Sequence, residues 1–376
     1  MKTSTLSFLL ITVIFLSGCQ KEKIEEASVL LKTQDVKVQT SSIKASSIFE
    51  IKRIIPLETT DESLIGRFAK LIKVDKSFYI LTFDSRLLRF DENGKFIGSI
   101  GTKGEGPHEY TYIEDFDADR NYVYILNENR LLSYLPDGTF VKETPLSIKA
   151  NSFKVMEDSS LLFHTTREDS LIYQLNATGQ TEQAILRKNA SGRLTKSIAF
   201  KTYKSLYIYE MGRSNELVSY NPKKKEFKKL HLTDIKGALT SEKESEIRNA
   251  TKQNHQPEFT DIQFNGPITF QTQLLLGSMK NKELTLWTQT VQETKAYAVS
   301  SIENDLTYIP FLRFLMDNTF CSECFLSYCQ PYLIAEGLEE HRSSADEKSY
   351  QRLQSVLSSI ENTEEANPII FEYILK

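Results

Sequence analysis

Two stretches of this chain repeat each other. FYILTFDSRLLRFDENGKFIGSI, residues 78–100, aligns without a gap on YVYILNENRLLSYLPDGTFVKET, residues 122–144. Gly94 falls on Gly138, an offset of 138 − 94 = 44 residues. The same offset matches Asp75 with Asp119, Arg86 with Arg130, Leu87 with Leu131, Phe90 with Tyr134 and Phe96 with Phe140. Polar positions recur in register with apolar ones, so the similarity exceeds shared amphipathicity. A chain built on such a period stacks repeated units, each too small to bury its hydrophobic face alone.

Each copy has the pattern of four short antiparallel strands. In the first, strands are predicted over 71–74, 78–82, 87–90 and 96–100, with turns at Asp75-Lys76, Asp84-Ser85 and Asn93-Gly94. Asn-Gly is the hairpin dipeptide whose glycine accepts positive φ. A period in the forties with four strands per repeat is the pattern of a β-propeller blade. Weaker copies fill 150–187, 197–233 and 258–301, and a sixth unit runs from about Asn304 to the final IIFEYILK. That sixth unit lacks an outer strand, and residues 47–58, SIFEIKRIIPLE, have no blade of their own. Joining the two closes an all-β ring of six four-stranded blades and leaves no free edge.

The run IGTKGEGPHEY between the first two copies could be taken for a phosphate cradle. Such a cradle needs a helix directly after it and usually Lys-Ser or Lys-Thr. Here residues 112–118 read as a strand, so Gly101, Gly104, Gly106 and Pro107 are the link from one blade to the next.

The composition is globular, with 40% hydrophobic and 26% charged residues. Lys and Arg total 46 against 50 Asp and Glu, a formal net charge of −4, which argues against nucleic acid as a partner. The chain opens with Lys2 and an apolar run over residues 6–16, too short to span a bilayer but suited to a signal-peptide core. It ends in Leu16-Ser17-Gly18-Cys19, which resembles the lipobox of bacterial lipoproteins. The expectation is a signal peptide over 1–18, lipid on Cys19 and a polar flexible tether over 19–46, carrying a propeller domain over 47–376. Gln20-Lys21-Glu22 resembles the charged export tag of surface-displayed Bacteroidetes lipoproteins. That resemblance implies an outer-membrane lipoprotein displayed on the surface, with the periplasmic leaflet as the alternative.

Links between blades and corners between second and third strands emerge on one face. That face collects Asp84, Arg86, Glu105, His108, Glu109, Tyr110, Glu128, Asn129 and Arg130, the candidate ligand-binding residues. For Arg86 and Arg130, structural salt bridges between blades are the favoured reading over ligand recognition. The five histidines, His108, His164, His231, His255 and His341, show no metal-ligand spacing such as HxH or HExxH. No cofactor is expected; calcium on Asp115, Asp117 or Asp261 is an alternative that nothing in the sequence singles out. No catalytic-serine elbow is present. Cys321, Cys324 and Cys329 read as one disulfide plus one buried thiol in an oxidising compartment, ahead of zinc with His341. Amphipathic spacing predicts a helix over 346–361 packed in the last unit. Ser241-x-x-Glu244 opens a predicted solvated helix over 241–254.

PLETTDESLIGRFAKLIKVD, IGTKGEGPHEY and the terminal ANPIIFEYILK together resemble the six-bladed β-propeller lipoproteins of Bacteroidetes, relatives of NHL-repeat propellers. The resemblance spans nearly all of 47–376 and says little of activity. It implies a lipid-anchored envelope module that binds a protein, glycan or small molecule. The alternatives are a metal-assisted hydrolase or lactonase at the channel mouth, as in other six-bladed rings, or a scaffold subunit of an envelope complex.

Overall fold

The computed structural model describes residues 28–156, 160–165, 170–176, 178–187, 200–203, 206–210, 214–221, 223–240, 242–244, 246–247, 261–270, 273–310, 318–321, 324–343 and 345–376. The signal-peptide and Cys19 expectations lie outside these residues. Among them no helix is long and apolar enough to cross a membrane.

Six blades of four antiparallel strands form the ring. Blade 1 is Phe68–Val74, Ser77–Thr82, Leu87–Asp91 and Phe96–Ser99. Blade 2 is Asp115–Ala118, Val123–Asn127, Arg130–Tyr134 and Phe140–Pro145. Blades 3, 4 and 5 begin at Ser152–Val155, Lys201–Tyr203 and Gln263–Phe270. The middle strands are buried on both sides because each blade is packed between two others, and successive side chains point to opposite faces. In blade 2, Ile125 and Leu132 pack with Tyr79, Leu81 and Leu87 of blade 1. Their neighbours Leu126 and Leu131 pack with Phe153, Phe163 and Leu175 of blade 3.

The repeated glycine has two reasons to be there. Gly94, Gly138 and Gly179 have φ of 85°, 88° and 78°, the left-handed region that glycine adopts without steric cost. Each also presses on the end of the preceding blade. A Cβ would lie 2.2 Å from the Pro56 carbonyl oxygen at Gly94, 2.9 Å from that of Ser99 at Gly138, and 2.3 Å from that of Pro145 at Gly179.

The ring closes as expected from residues 47–58. Blade 6 takes Asn318–Cys321, Phe325–Cys329 and Ile369–Leu375 from the C-terminal end of the chain, and Phe49–Pro56 as its outer strand. The last two pair antiparallel from Ile369↔Pro56 to Leu375↔Phe49. On the inner side Phe320 pairs in parallel with Ile72 of blade 1. Asn367, 1% exposed, latches this closure. Its Oδ1 accepts from the Ile65 amide at 2.7 Å, and its Nδ2 donates to the carbonyls of Glu58 at 2.7 Å and Ser63 at 2.9 Å.

The tether expectation for 28–46 is corrected by the structure. Ser28–Leu31 adds in parallel to the outer strand of blade 4, Glu226–Thr233, and Val38–Gln39 adds in parallel to the outer strand of blade 5, Thr294–Ala298. Ile43–Lys44 pairs with Ile302–Glu303. The physical reason is edge pairing: an outer strand offers unpaired N–H and C=O groups that even a polar segment satisfies. Leu31 and Ala45 are fully buried, and Asp234 and Asp305 accept from Thr33 and Ser46.

Two helices lie between the second and third strands of blade 6. The first, α1, is Pro331–Glu340, which the sequence reading missed. Proline at its first turn and the Ile334/Leu338 pair would have marked it. Gly337 rests against the Tyr308 carbonyl, where a Cβ would meet oxygen at 2.3 Å. The second, α2, is Glu347–Leu357, shorter than expected, with the Asp346 carboxylate accepting from the Ser349 amide at 3.0 Å. Of the other expected helix, residues 242–244 and 246–247 are helical, and the rest lies outside the described residues. It is less solvated than expected, since Glu244 and Ile247 are buried.

Replacing Asn367 with alanine takes their partner from the Ile65 amide and the Ser63 carbonyl and leaves the Glu58 carbonyl only the Ser63 hydroxyl. Asn367→Ala is expected to lower stability by about 2–4 kcal/mol, read from the urea midpoint.

Candidate functional site

In blades 1 and 2 the link preceding the blade and the corner between its second and third strands meet on one face. Arg86 of the first corner donates from Nη1 to the Glu62 carbonyl at 3.2 Å and from Nη2 to the Leu64 carbonyl at 2.6 Å. Arg130, its match one repeat later, donates from Nη2 to the Glu109 carbonyl at 2.9 Å. Both arginines therefore pin the incoming link, and the 44-residue match reflects a repeated clamp. Each also holds acceptors of its own: Asp84 at 2.7 Å for Arg86, and Asn127 at 2.8 Å and Glu143 at 3.2 Å for Arg130. Partial burial pushes the Asp84 carboxyl up, but hydrogen bonds from Thr82 and Arg86 outweigh it and hold it below the usual range.

The other candidates divide between the scaffold and the surface. Tyr110 is buried in the core between blades 1 and 2, and desolvation pushes its phenol up to about 12. Glu109 folds back, its Oε2 accepting from the Gly106 amide at 2.7 Å. A Cβ at Gly104 would lie 2.0 Å from that same oxygen, so a side chain there would displace the Glu109 carboxylate from its place on the Gly106 amide. His108 has φ of 65° and stacks on Phe140 at 3.8 Å, while its carbonyl accepts from the Tyr134 hydroxyl at 2.9 Å. Glu105, Glu128 and Asn129 are exposed. The Asn129 carbonyl accepts from the Leu146 amide.

Inward of the links, the inner strands are tied by alternating charges. Lys70 of blade 1 bonds Asp115 of blade 2 at 2.7 Å, and Asp117 of blade 2 bonds Lys154 of blade 3 at 2.8 Å. The same two carboxylates accept the amides of Phe153 and Val155 at 3.0 and 2.9 Å. Asp115 and Asp117 are buried. Inner strands fan apart around the axis, and these aspartates satisfy backbone donors that no neighbouring strand reaches. A carboxylate already bonded to an ammonium and an amide is a poor calcium ligand. Asp261, the third aspartate weighed for calcium, bonds Lys243 at 2.6 Å.

Besides Glu105, Glu128 and Asn129, the face exposes an apolar and cationic group. Phe83 is 59% exposed, Leu64 46% and Tyr112 39%. Leu64 and Arg67 stand just ahead of the inner strand of blade 1, and Tyr112 just ahead of that of blade 2. The Phe83 amide donates to the Arg67 carbonyl at 3.0 Å, and the guanidinium of Arg67 lies 4.0 Å over the Phe83 ring. The sequence reading missed these four residues. The signal lay in the repeat itself, where Phe83 stands opposite Asn127, an aromatic in place of a buried amide.

Of the cysteines, Cys324 is disulfide-bonded and Cys329 is a buried thiol. His341 lies beside Tyr308, with ring centroids 5.8 Å apart. Among the described residues no group of three or more His, Cys, Asp or Glu side chains is placed to hold a metal ion.

Residues 31–373 match the DUF4934 domain, a domain of unknown function. The chain belongs to the DUF4934 family. The match begins inside the first edge strand, so the belt over 31–46 is part of the family's domain. No curated protein matches the sequence. The fold is similar to a candidate exported protein of Bacteroides fragilis, with TM-score 0.71 and 18% identity, over 90% of this chain and 98% of that one. It is also similar to a Bacteroides vulgatus member of the DUF4221 family, with TM-score 0.51 and 10% identity, over 88% and 99% of the two chains.

If Arg130 is a clamp, removing its fork destabilises the ring whatever the ligand. Arg130→Met is expected to cost about 1–3 kcal/mol in urea unfolding. Arg130→Lys should rescue little of it, because a single ammonium cannot reach both Asn127 and the Glu109 carbonyl as the guanidinium does.

Proposed function

We propose that this DUF4934 protein is an exported, lipid-anchored propeller that binds a ligand on its link-and-corner face. One observation carries the reading. Arg86, Arg130, Glu109 and Tyr110 are committed to the scaffold, while Phe83 stays exposed under Arg67, and Leu64 and Tyr112 are exposed on the links of the same face. Exposed aromatics grouped with a guanidinium are the composition of recognition surfaces, where a few such anchors supply most of the binding free energy. The ligand fitted by this chemistry is an envelope protein segment or glycan with an apolar face and acceptor groups for Arg67.

Export and anchoring rest on the lipobox-like Leu16-Ser17-Gly18-Cys19, and the B. fragilis relative assigned to export agrees with them. The outer membrane, and a kinship with NHL-type propellers, are the finer form of the same reading. A calcium-assisted hydrolase is the weaker alternative, since Asp115 and Asp117 are each bonded to a lysine.

Peptide and glycan arrays probed with residues 20–376 test the reading. The double variant Phe83→Ala/Tyr112→Ala should lose at least about tenfold in affinity for whatever binds, about 1.4 kcal/mol, with an unchanged melting temperature. Undiminished binding by the variant would sink this assignment. So would calcium-dependent lactone hydrolysis that Asp115→Asn abolishes.

A further inference from the structure

The outer hairpin of blade 4 carries a concentration of positive charge. Glu216–Asn221 turns into Glu226–Thr233 through a run that reads NPKKKEFKKL. Lys223, Lys224, Lys225, Lys228 and Lys229 are all exposed, with Glu226 the one acid among them, in a chain whose net charge is −4. Among the described residues, Lys223, Lys224, Lys225 and Lys229 form no ion pair. The turn is built rather than slack: the Asn221 carboxamide oxygen accepts the amides of Lys223 and Lys224 at 3.1 and 3.2 Å. Lys225 takes the left-handed conformation, φ 52°. Like charges held this close repel, so the arrangement favours an anionic counterpart outside the chain.

A second observation identifies that counterpart. The edge strand Ser28–Leu31 lies parallel to the same outer strand, with Ser28 opposite Leu230, Val29 opposite His231 and Leu31 opposite Thr233. In a parallel pair, a step back from Ser28 corresponds to a step back from Leu230 toward Lys229 and Lys228. The N-terminal segment therefore joins the ring from the lysine-bearing side of blade 4. Nine residue steps separate Ser28 from Cys19 (28 − 19 = 9), a reach of at most about 30 Å.

We propose that the Lys223–Lys229 hairpin docks on the anionic lipid surface in which the chain is anchored, seating the propeller with blade 4 against the membrane. The inference rests on the reading of Cys19 as the lipidated residue, because that is what brings a membrane within reach of the hairpin. An acyl anchor alone leaves the ring free to tumble about its attachment point. A basic patch beside the attachment point fixes its attitude, each lysine at the surface adding about a fivefold gain in affinity.

Residues 20–376 contain every strand of the closed ring and carry no lipid, so they isolate the electrostatic contribution. The experiment is co-sedimentation with phosphatidylcholine vesicles, with and without phosphatidylglycerol at about one lipid in three. Binding is expected to the anionic vesicles only and to be lost at about 0.5 M salt, where the Debye length is a few ångströms. Lys223→Glu/Lys224→Glu/Lys225→Glu should lower it by two orders of magnitude or more. The triple Gln variant should fall by about 100-fold and guards against a charge-reversal artefact. Lys76→Glu, at an 81% exposed side chain on blade 1, should bind as the parent does. Thermal melts check that every variant is folded. Undiminished binding by the folded triple variants, or equal binding to neutral vesicles, overturns the proposal. Competition by low-millimolar inorganic phosphate would reassign the hairpin to a free anion and overturn it as well. Mass spectrometry of Cys19 in the full chain tests the anchor separately, so failure of one reading is distinguishable from failure of the other.

Discussion

The structure depends on one ladder, the pairing of Phe49–Pro56 with Ile369–Leu375. A propeller that fails to close exposes two strand edges and a half-covered hydrophobic face, and a repeat has no way to bury either within itself. Here the outer strand of the last blade comes from the other end of the chain, so the ring exists only when residues more than 300 apart have met. Asn367 makes that meeting specific. It sits at the start of the closing strand and satisfies backbone groups of Glu58, Ser63 and Ile65 on the link into blade 1. Register, closure and the route of the first link are fixed together.

Polar chemistry elsewhere serves the same end. Inner strands diverge around the axis, and Asp115 and Asp117 fill the gap by accepting the amides and lysines of their neighbours. Links must cross from rim to axis, and Arg86 and Arg130 hold their carbonyls as they do so. The N-terminal belt completes the rim by covering the outer edges of blades 4 and 5. With these charges absorbed, the two proposed contacts fall to an aromatic and cationic group on one face and a lysine-rich hairpin at one rim.

Much of this was legible in the sequence because the repeat is legible. Gly94 over Gly138 gave the blade period, and the orphan strand over 47–58 gave the closure. The belt over 28–46 was not legible, because its composition is that of a linker and its order comes from edges made by residues 202 to 259 positions away. Helix α1 was hidden in a short run behind Pro331 whose partners, such as Tyr308, are brought to it only by the fold. The candidate site was half legible. Strand alternation placed the right loops on one face, but it could not say that Arg86, Arg130, Glu109 and Tyr110 were committed to the scaffold. A donor's partner is a matter of angstroms, and carbonyl acceptors leave no trace in a side-chain sequence.

The most direct test of the account is hydrogen exchange of the closing strand under native conditions. If closure sustains the ring, the paired amides of Phe49–Pro56 and Ile369–Leu375 exchange only through global unfolding, as slowly as those of Leu87–Asp91 inside blade 1. Early exchange of Phe49–Pro56, with the rest of the ring still protected, would contradict it.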